Sequence, residues 1–155
     1  MSTQTGSAQT YTIREAAKLT GLAESNLRYY ETIELIPPVG RDASSKYRVY
    51  TEADIDYIVS IACLSATGLS IDDMKLYLSN VDRGEDAASE QIQLLNDQTK
   101  RLIEEERGLK LRQKYLQTKA AYWKAVASKD LVLANQIAKQ AVTIAKEVKL
   151  SQASS

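Results

Sequence analysis

Apolar positions follow helical spacing through most of this chain, broken once where polar and apolar residues alternate. In 12–20, TIREAAKLT, the residues Ile13, Ala16, Ala17 and Leu19 with Thr20 mark one helical face. Thr12 is placed to cap that helix, and Glu15 three residues on completes a capping box. Gly21 ends it. A second helix is expected from about Ala23 to Ile33, with Leu27 and Tyr30 turned inward. Two short helices joined by a glycine-containing turn form the helix-turn-helix signature, which other helical hairpins share. After Pro37-Pro38 the period changes to two. Tyr47 and Val49 fall on one face, Arg48 and Tyr50 on the other, around a DASS turn, so 38–50 is expected to be a β-hairpin wing. Thr51 then opens a helix whose predicted buried stripe is Ile55, Ile58, Val59, Ala62 and Cys63. Thr67-Gly68 stops it. Ser70 caps a further short helix with Asp72 and Asp73 in its first turn, where the helix dipole favours acids.

Beyond residue 80 the pattern changes again. Residues 81–90 are polar and predict a linker. Leu95, Leu102, Leu109, Leu116 and Trp123 then recur every seven residues, and Ile92, Thr99, Glu106, Gln113 and Ala120 fill the alternate seam. That spacing predicts one long helix over 91–127, with a coiled-coil partner along those leucines. Glu106 and Gln113 in the seam cost stability and help to fix register. A C-terminal helix is expected over 128–150, with a small-residue face (Ala134, Ile137, Ala138, Ala141, Ile144, Ala145, Val148) suited to folding back on the long helix. Residues 1–10 and 151–155 are expected to be disordered tails. The resulting fold class is mainly α: a winged helix-turn-helix domain over 11–80, a long dimerisation helix and a C-terminal helix.

Composition narrows the possibilities. Only 2 Pro and 6 Gly among 155 residues, with 44% hydrophobic content, suit a folded helical protein. No apolar run is long enough to span a membrane, and the first ten residues lack the charged and apolar regions of a signal peptide. One Cys allows no internal disulfide and points to a reducing, cytoplasmic home. The absence of His rules out Ser/His and Cys/His catalytic pairs, so no enzyme is expected. No metal site or iron–sulfur cofactor is expected either, because no Cys follows residue 63. Formal net charge is zero, but 11–50 holds six Lys/Arg against five Asp/Glu, so one basic face remains open to phosphates.

The ordered set YTIREAAKLTGLAESNLRYYETIELIPP, R-x5-Y-R-x-Y, TEADIDYI and CLSATGLSIDDMKLYL resembles the N-terminal domain of MerR-family transcriptional regulators over about residues 11–80. The resemblance implies a homodimer, paired through antiparallel long helices, on an inverted-repeat element of double-stranded promoter DNA. Such dimers bend and untwist an over-long promoter spacer, so RNA polymerase is affected indirectly. Carried over by position, Thr12, Asn26, Arg28, Tyr29, Lys46, Tyr47, Arg48 and Tyr50 become the expected DNA contacts, with Arg41 either a wing contact or solvated. Two departures from the family pattern stand out. Ser45-Lys46 replaces the Asn-Gly common before the wing's Tyr-Arg, which implies a longer or looser wing. Ala23 replaces the usual Ser at the recognition helix's N-cap.

The sensor stays open at this level. Cys63, in CLSATG, matches a cysteine of the branch that responds to thiol-reactive electrophiles, yet a cysteine on an apolar stripe is more often a buried, inert hydrophobe. The rival is a small-molecule pocket between the last two helices, lined by Tyr115, Tyr122 and Trp123. A regulator without a small effector is the third choice. An architectural DNA-bending protein and a coiled-coil adaptor are the alternatives outside transcriptional control.

Overall fold

The computed structural model describes residues 8–153. Ten elements follow in order: β1 (Thr10–Tyr11), α1 (Ile13–Thr20), α2 (Glu24–Thr32), β2 (Gly40–Arg41), β3 (Arg48–Thr51), α3 (Glu52–Ala66), α4 (Ile71–Arg83), a 3-10 turn (Gly84–Ala87), α5 (Ala88–Ala127) and α6 (Leu131–Ala153). The chain divides into two compact units, Met1–Gln98 and Thr99–Ser155, so α5 contributes to both.

In the first unit the helix starts are local chemistry. Thr12 caps α1 and closes the expected box: its hydroxyl accepts from Glu15 N–H, and the Glu15 carboxylate accepts from Thr12 N–H at 2.8 Å. Gly21, at φ 74°, ends α1 in the left-handed conformation that glycine adopts without strain. Thr51 and Asp54 form a second box at the start of α3, and Ser70 caps α4. α2 is the exception: Ala23 takes the cap geometry and supplies no side-chain bond.

The three strands lie in the order β1-β3-β2, both pairs antiparallel. β1 was not expected: Thr10, assigned to the N-terminal tail, pairs with Thr51. Residues 1–7 of that tail lie outside the described residues, as do 154 and 155 at the other end. The core beneath the sheet joins Ala16, Leu27, Tyr30, Leu35, Ile36, Val39, Tyr50, Ile55, Ile58, Ile61, Leu69 and Met74.

Several expected boundaries and faces shift. The buried stripe of α3 is Ile55, Ile58 and Ile61, whereas Val59 and Cys63 are exposed. Leu19, expected on the inner face of α1, is also exposed. The expected linker 81–90 is helical: α4 runs to Arg83, the 3-10 turn buries Ala87, and α5 begins at Ala88. Polar residues in and beside it bond one another. Arg83 grips Glu90 through two bonds of 2.9 and 3.2 Å, which lowers the Glu90 pKa. Arg83 also donates to Asn80, and buried Asn80 donates to Gln91, whose amide donates in turn to Tyr77 C=O. Gln98 fastens the same stretch of α5 by donating to Thr67 C=O at 2.8 Å.

In the second unit α5 and α6 form a helical hairpin. Lys129 takes φ 60°, Asp130 N–H reaches back to Ala125 C=O, and the Asp130 carboxylate accepts from Leu133 N–H. Ala134, Ala141 and Ile144 are buried on α6, as is Ala125 on α5. α6 starts three residues later than expected and continues to Ala153, taking in 151–153 that had been assigned to a tail. Ser151 binds its hydroxyl to Val148 C=O within that last turn.

The uncapped start of α2 gives a test. Ala23→Ser should stabilise the domain by about 1 kcal/mol, because the new hydroxyl can accept an orphan N–H of the first turn. Urea unfolding of the two proteins measures it; an unchanged midpoint would mean that the cap position is already satisfied by solvent.

Candidate nucleic-acid interface

α2 is only nine residues long, too short to be stable alone, so packing must hold it. Leu27 is fully buried and Tyr30 nearly so; three residues apart, they share one helix face. The Tyr30 hydroxyl lies 3.4 Å from Ser65 Oγ of α3, which ties α2 down at its C-terminal half. The opposite face is left to solvent. Asn26, Arg28 and Tyr29 are all exposed there, as the sequence suggested. Arg28 rests against Glu24 at 3.4 Å, one turn earlier, a weak exposed pair that a stronger partner can displace.

The wing stands beside this face. Lys46 and Tyr47 are exposed, and Tyr47 is 77% accessible, the most exposed aromatic of the unit. Of the two expected forms, longer or looser, the turn that carries them takes the first: Asp42 N–H bonds Tyr47 C=O across residues 43–46, and the turn is tightly held. Asp42 Oδ1 accepts from the N–H and hydroxyl of both Ser44 and Ser45, at 2.7–3.0 Å. Those bonds, that from Ser45 N–H foremost, hold the Asp42 carboxyl down to about 2. Lys46 itself adopts φ 63°, the positive angle that glycine would have supplied, and its ammonium donates to Ala43 C=O at 2.8 Å.

One expected contact needs correction. Tyr50 is fully buried, packed in the core with its hydroxyl away from solvent, and burial raises its pKa. The alternation of β3 was read correctly, but helices α1 and α3 cover the face that carries Tyr50. Thr12 stands at the start of α1 as expected: its hydroxyl accepts from Glu15 N–H and its N–H donates to the Glu15 carboxylate, while its own O–H remains a donor. The groups left without an intrahelical acceptor at that end are the N–H groups of Ile13 and Arg14.

Arg48 shares the inner face with Tyr50 and is accordingly half-buried. It is not solvated but paired: its Nε donates to Glu31 Oε2 at 2.8 Å. Arg41 approaches the other carboxylate oxygen at 3.9 Å. Arg28, Arg41, Arg48 and Glu31 all lie near enough to act electrostatically on the Tyr50 hydroxyl, so these four charges gather around one buried ring. The sequence reading left Arg41 open and missed Glu31. Its signal was the glutamate of RYYE, one turn beyond Arg28, facing two arginines at matching positions of a hairpin.

Along α5, Ile92, Leu95, Leu102, Leu109, Leu116 and Trp123 are 40–67% exposed. Tyr115 and Tyr122 are half-buried, with Tyr122 edge-on to Trp123 at 5.3 Å. They are not among the residues that line a cleft between 100–114 and Glu147–Gln152. Among the described residues no helix is long and apolar enough to cross a membrane.

A capped helix, a glycine turn, a second helix held from beneath and a β-hairpin beside it define a winged helix-turn-helix protein. The family model for MerR HTH family regulatory proteins matches residues 11–81. A helix-turn-helix transcriptional regulator of Haemophilus influenzae is 35% identical over 91 residues, which cover 59% of this chain and 67% of that one. The regulator AdhR of Bacillus subtilis is 40% identical over 92 residues, 59% of this chain and 65% of AdhR. The crystal structure of HiNmlR, described as a MerR family regulator lacking the sensor domain and bound to promoter DNA, superposes with a TM-score of 0.61. It is 32% identical, over 83% of this chain and 96% of HiNmlR. The chain belongs to the MerR family of helix-turn-helix transcriptional regulators. Its matched stretch spans about two thirds of the first two curated relatives and about half of others, at 50% and 46%.

Proposed function

We propose that this chain is a sequence-specific DNA-binding transcriptional regulator, not an enzyme, acting in the cytoplasm as a homodimer on an inverted-repeat promoter element. The observation that carries the reading is the division of α2: Leu27 and Tyr30 are core, while Asn26, Arg28 and Tyr29 face out beside the exposed wing residues Lys46 and Tyr47. Arginine grips guanine or phosphate through paired N–H groups, and tyrosine hydroxyls bond phosphates. That HiNmlR is bound to promoter DNA supports the same use of this surface. In this reading the dimer distorts an over-long promoter spacer, so the stiffness of the spacer adds to specificity and polymerase is controlled through DNA shape.

The exposed leucine stripe of α5 supports the dimer. An apolar row of that length in water is a seam awaiting a partner helix, and a second copy offers the same row. Cys63 supports a sensor role for thiol-reactive electrophiles, because its exposure on α3 gives the reagent access.

Three outcomes are expected. Arg28→Ala should weaken binding to an inverted-repeat fragment of the chain's own promoter by about tenfold or more, as loss of a base or phosphate contact does. Fluorescence anisotropy measures it, and undiminished affinity would remove α2 as the recognition helix. Light scattering should show a dimer at micromolar concentration, and the double substitution Leu102→Glu, Leu109→Glu should give monomers; a wild-type monomer would end the seam assignment. Cys63→Ser should abolish induction of a promoter reporter by methylglyoxal or formaldehyde, and a normal response in that strain would return Cys63 to a packing role.

A further inference from the structure

Three charges meet at the root of the wing, Glu31, Arg41 and Arg48. Arg41 and Arg48 are direct cross-strand partners in the β2–β3 pair. Like charges facing each other across two strands repel and destabilise the pair. Glu31 sits between them, one carboxylate oxygen toward each: Oε2 to Arg48 Nε at 2.8 Å and Oε1 to Arg41 Nη2 at 3.9 Å. Its position is not explained by α2, since a carboxylate in the last helical turn opposes the helix dipole. Nor is it a solvated surface acid, because its side chain is only 15% accessible.

What the arrangement leaves over is informative. Arg48 meets Glu31 through Nε, so its two terminal amino groups, the pair that forks onto an oxyanion, are not used in that bond. The trio carries two positive charges and one negative, a net of one, which matches the single charge of one DNA backbone phosphate. Glu31 also belongs to the recognition helix while both arginines belong to the wing. Any grip made by the arginines is therefore set in position relative to the residues that face the bases.

We propose that Glu31 is a positioning residue, which braces Arg41 and Arg48 as a two-pronged grip on a single backbone phosphate at the root of the wing. The inference rests on the DNA-binding reading above. Glu31 touches no DNA itself. It holds the two guanidiniums apart, keeps the Arg48 fork turned outward and fixes the wing to α2.

Fluorescence anisotropy with two duplexes tests it: an inverted-repeat duplex from the chain's own promoter and a scrambled duplex of the same length, over a salt series. Arg41→Ala and Arg48→Ala should each lower the slope of log affinity against log salt by about one, the mark of one lost phosphate contact. Glu31→Gln should weaken inverted-repeat binding about fivefold or more, although it removes a negative charge close to DNA, whose bare electrostatic effect would be tighter binding. In the Arg41→Ala, Arg48→Ala background the same change should cost nothing further, because Glu31 would have nothing left to position. A merely structural Glu31 would instead cost the same in both backgrounds, and that result would overturn the proposal. So would tighter or unchanged binding by Glu31→Gln. If the wild-type chain prefers neither duplex, the sequence-specific DNA-binding reading itself falls; if it prefers the inverted repeat and Glu31→Gln binds that duplex as tightly as the wild type, only the brace falls.

Discussion

The full burial of Leu27 is the constraint on which the interface depends. α2 has no side-chain cap and too few residues to persist alone, so its rotation about its own axis is set by what it buries. With Leu27 and Tyr30 locked among α1, α3 and the sheet, the phase of every other side chain follows. Turning the helix by one residue, roughly 100°, would bury Arg28 or Asn26 and expose the leucine. Truncating Leu27 to alanine would remove roughly 2–5 kcal/mol of packing, a large part of the stability of a small domain. The capping box of α1 and the left-handed Gly21 serve the same end, because they aim the chain so that Leu27 arrives over the core.

The wing is governed by a second consequence of burial. In β3 the side chains alternate, so Arg48 and Tyr50 must share a face. Since Tyr50 is core, Arg48 is drawn partly out of water, and a half-buried guanidinium needs a counter-ion. Glu31 provides it from the recognition helix. The tip of the hairpin is held by different means: a carboxylate that collects four donors and a lysine that accepts the left-handed angle. Root and tip are thus fixed separately, one by ion pairing to a helix and the other by hydrogen bonds within the turn.

Much of this was legible in the sequence, because capping chemistry is local. Thr12 with Glu15, Thr51 with Asp54 and Ser70 with Asp73 can be seen from spacing alone, and each is present. The Gly21 stop, the hairpin and the division of α2 were equally readable. What escaped was decided by contacts distant in sequence. α3 carries Ile55, Ile58, Val59, Ile61, Ala62 and Leu64, apolar on so many sides that periodicity cannot choose its inner face; the tertiary core chose Ile55, Ile58 and Ile61. Alternation in the wing showed which residues share a face but not which face is covered, so Tyr50 looked available. Residues 81–90 look like a linker by polarity, yet their polar groups pair across a tight corner. The seven-residue leucine repeat was plain, and its exposure in a single chain is what a seam shows before its partner is added.

That tight corner bears on where the first unit can be cut. A fragment ending near residue 81, where the family match stops, keeps buried Asn80 but removes Gln91, the acceptor of its amide, and Gln98, the donor to Thr67 C=O. Ala87, wholly buried, would go as well. Gly68 ties the motif to the same stretch: its φ of 84° suits glycine, and an added Cβ would press on the Gln98 amide nitrogen at 3.2 Å. The smallest autonomous piece is therefore longer than the recognisable motif: it carries the opening turns of α5 as part of its own fabric, and protease-resistant fragments should end beyond Gln98 and not at the corner.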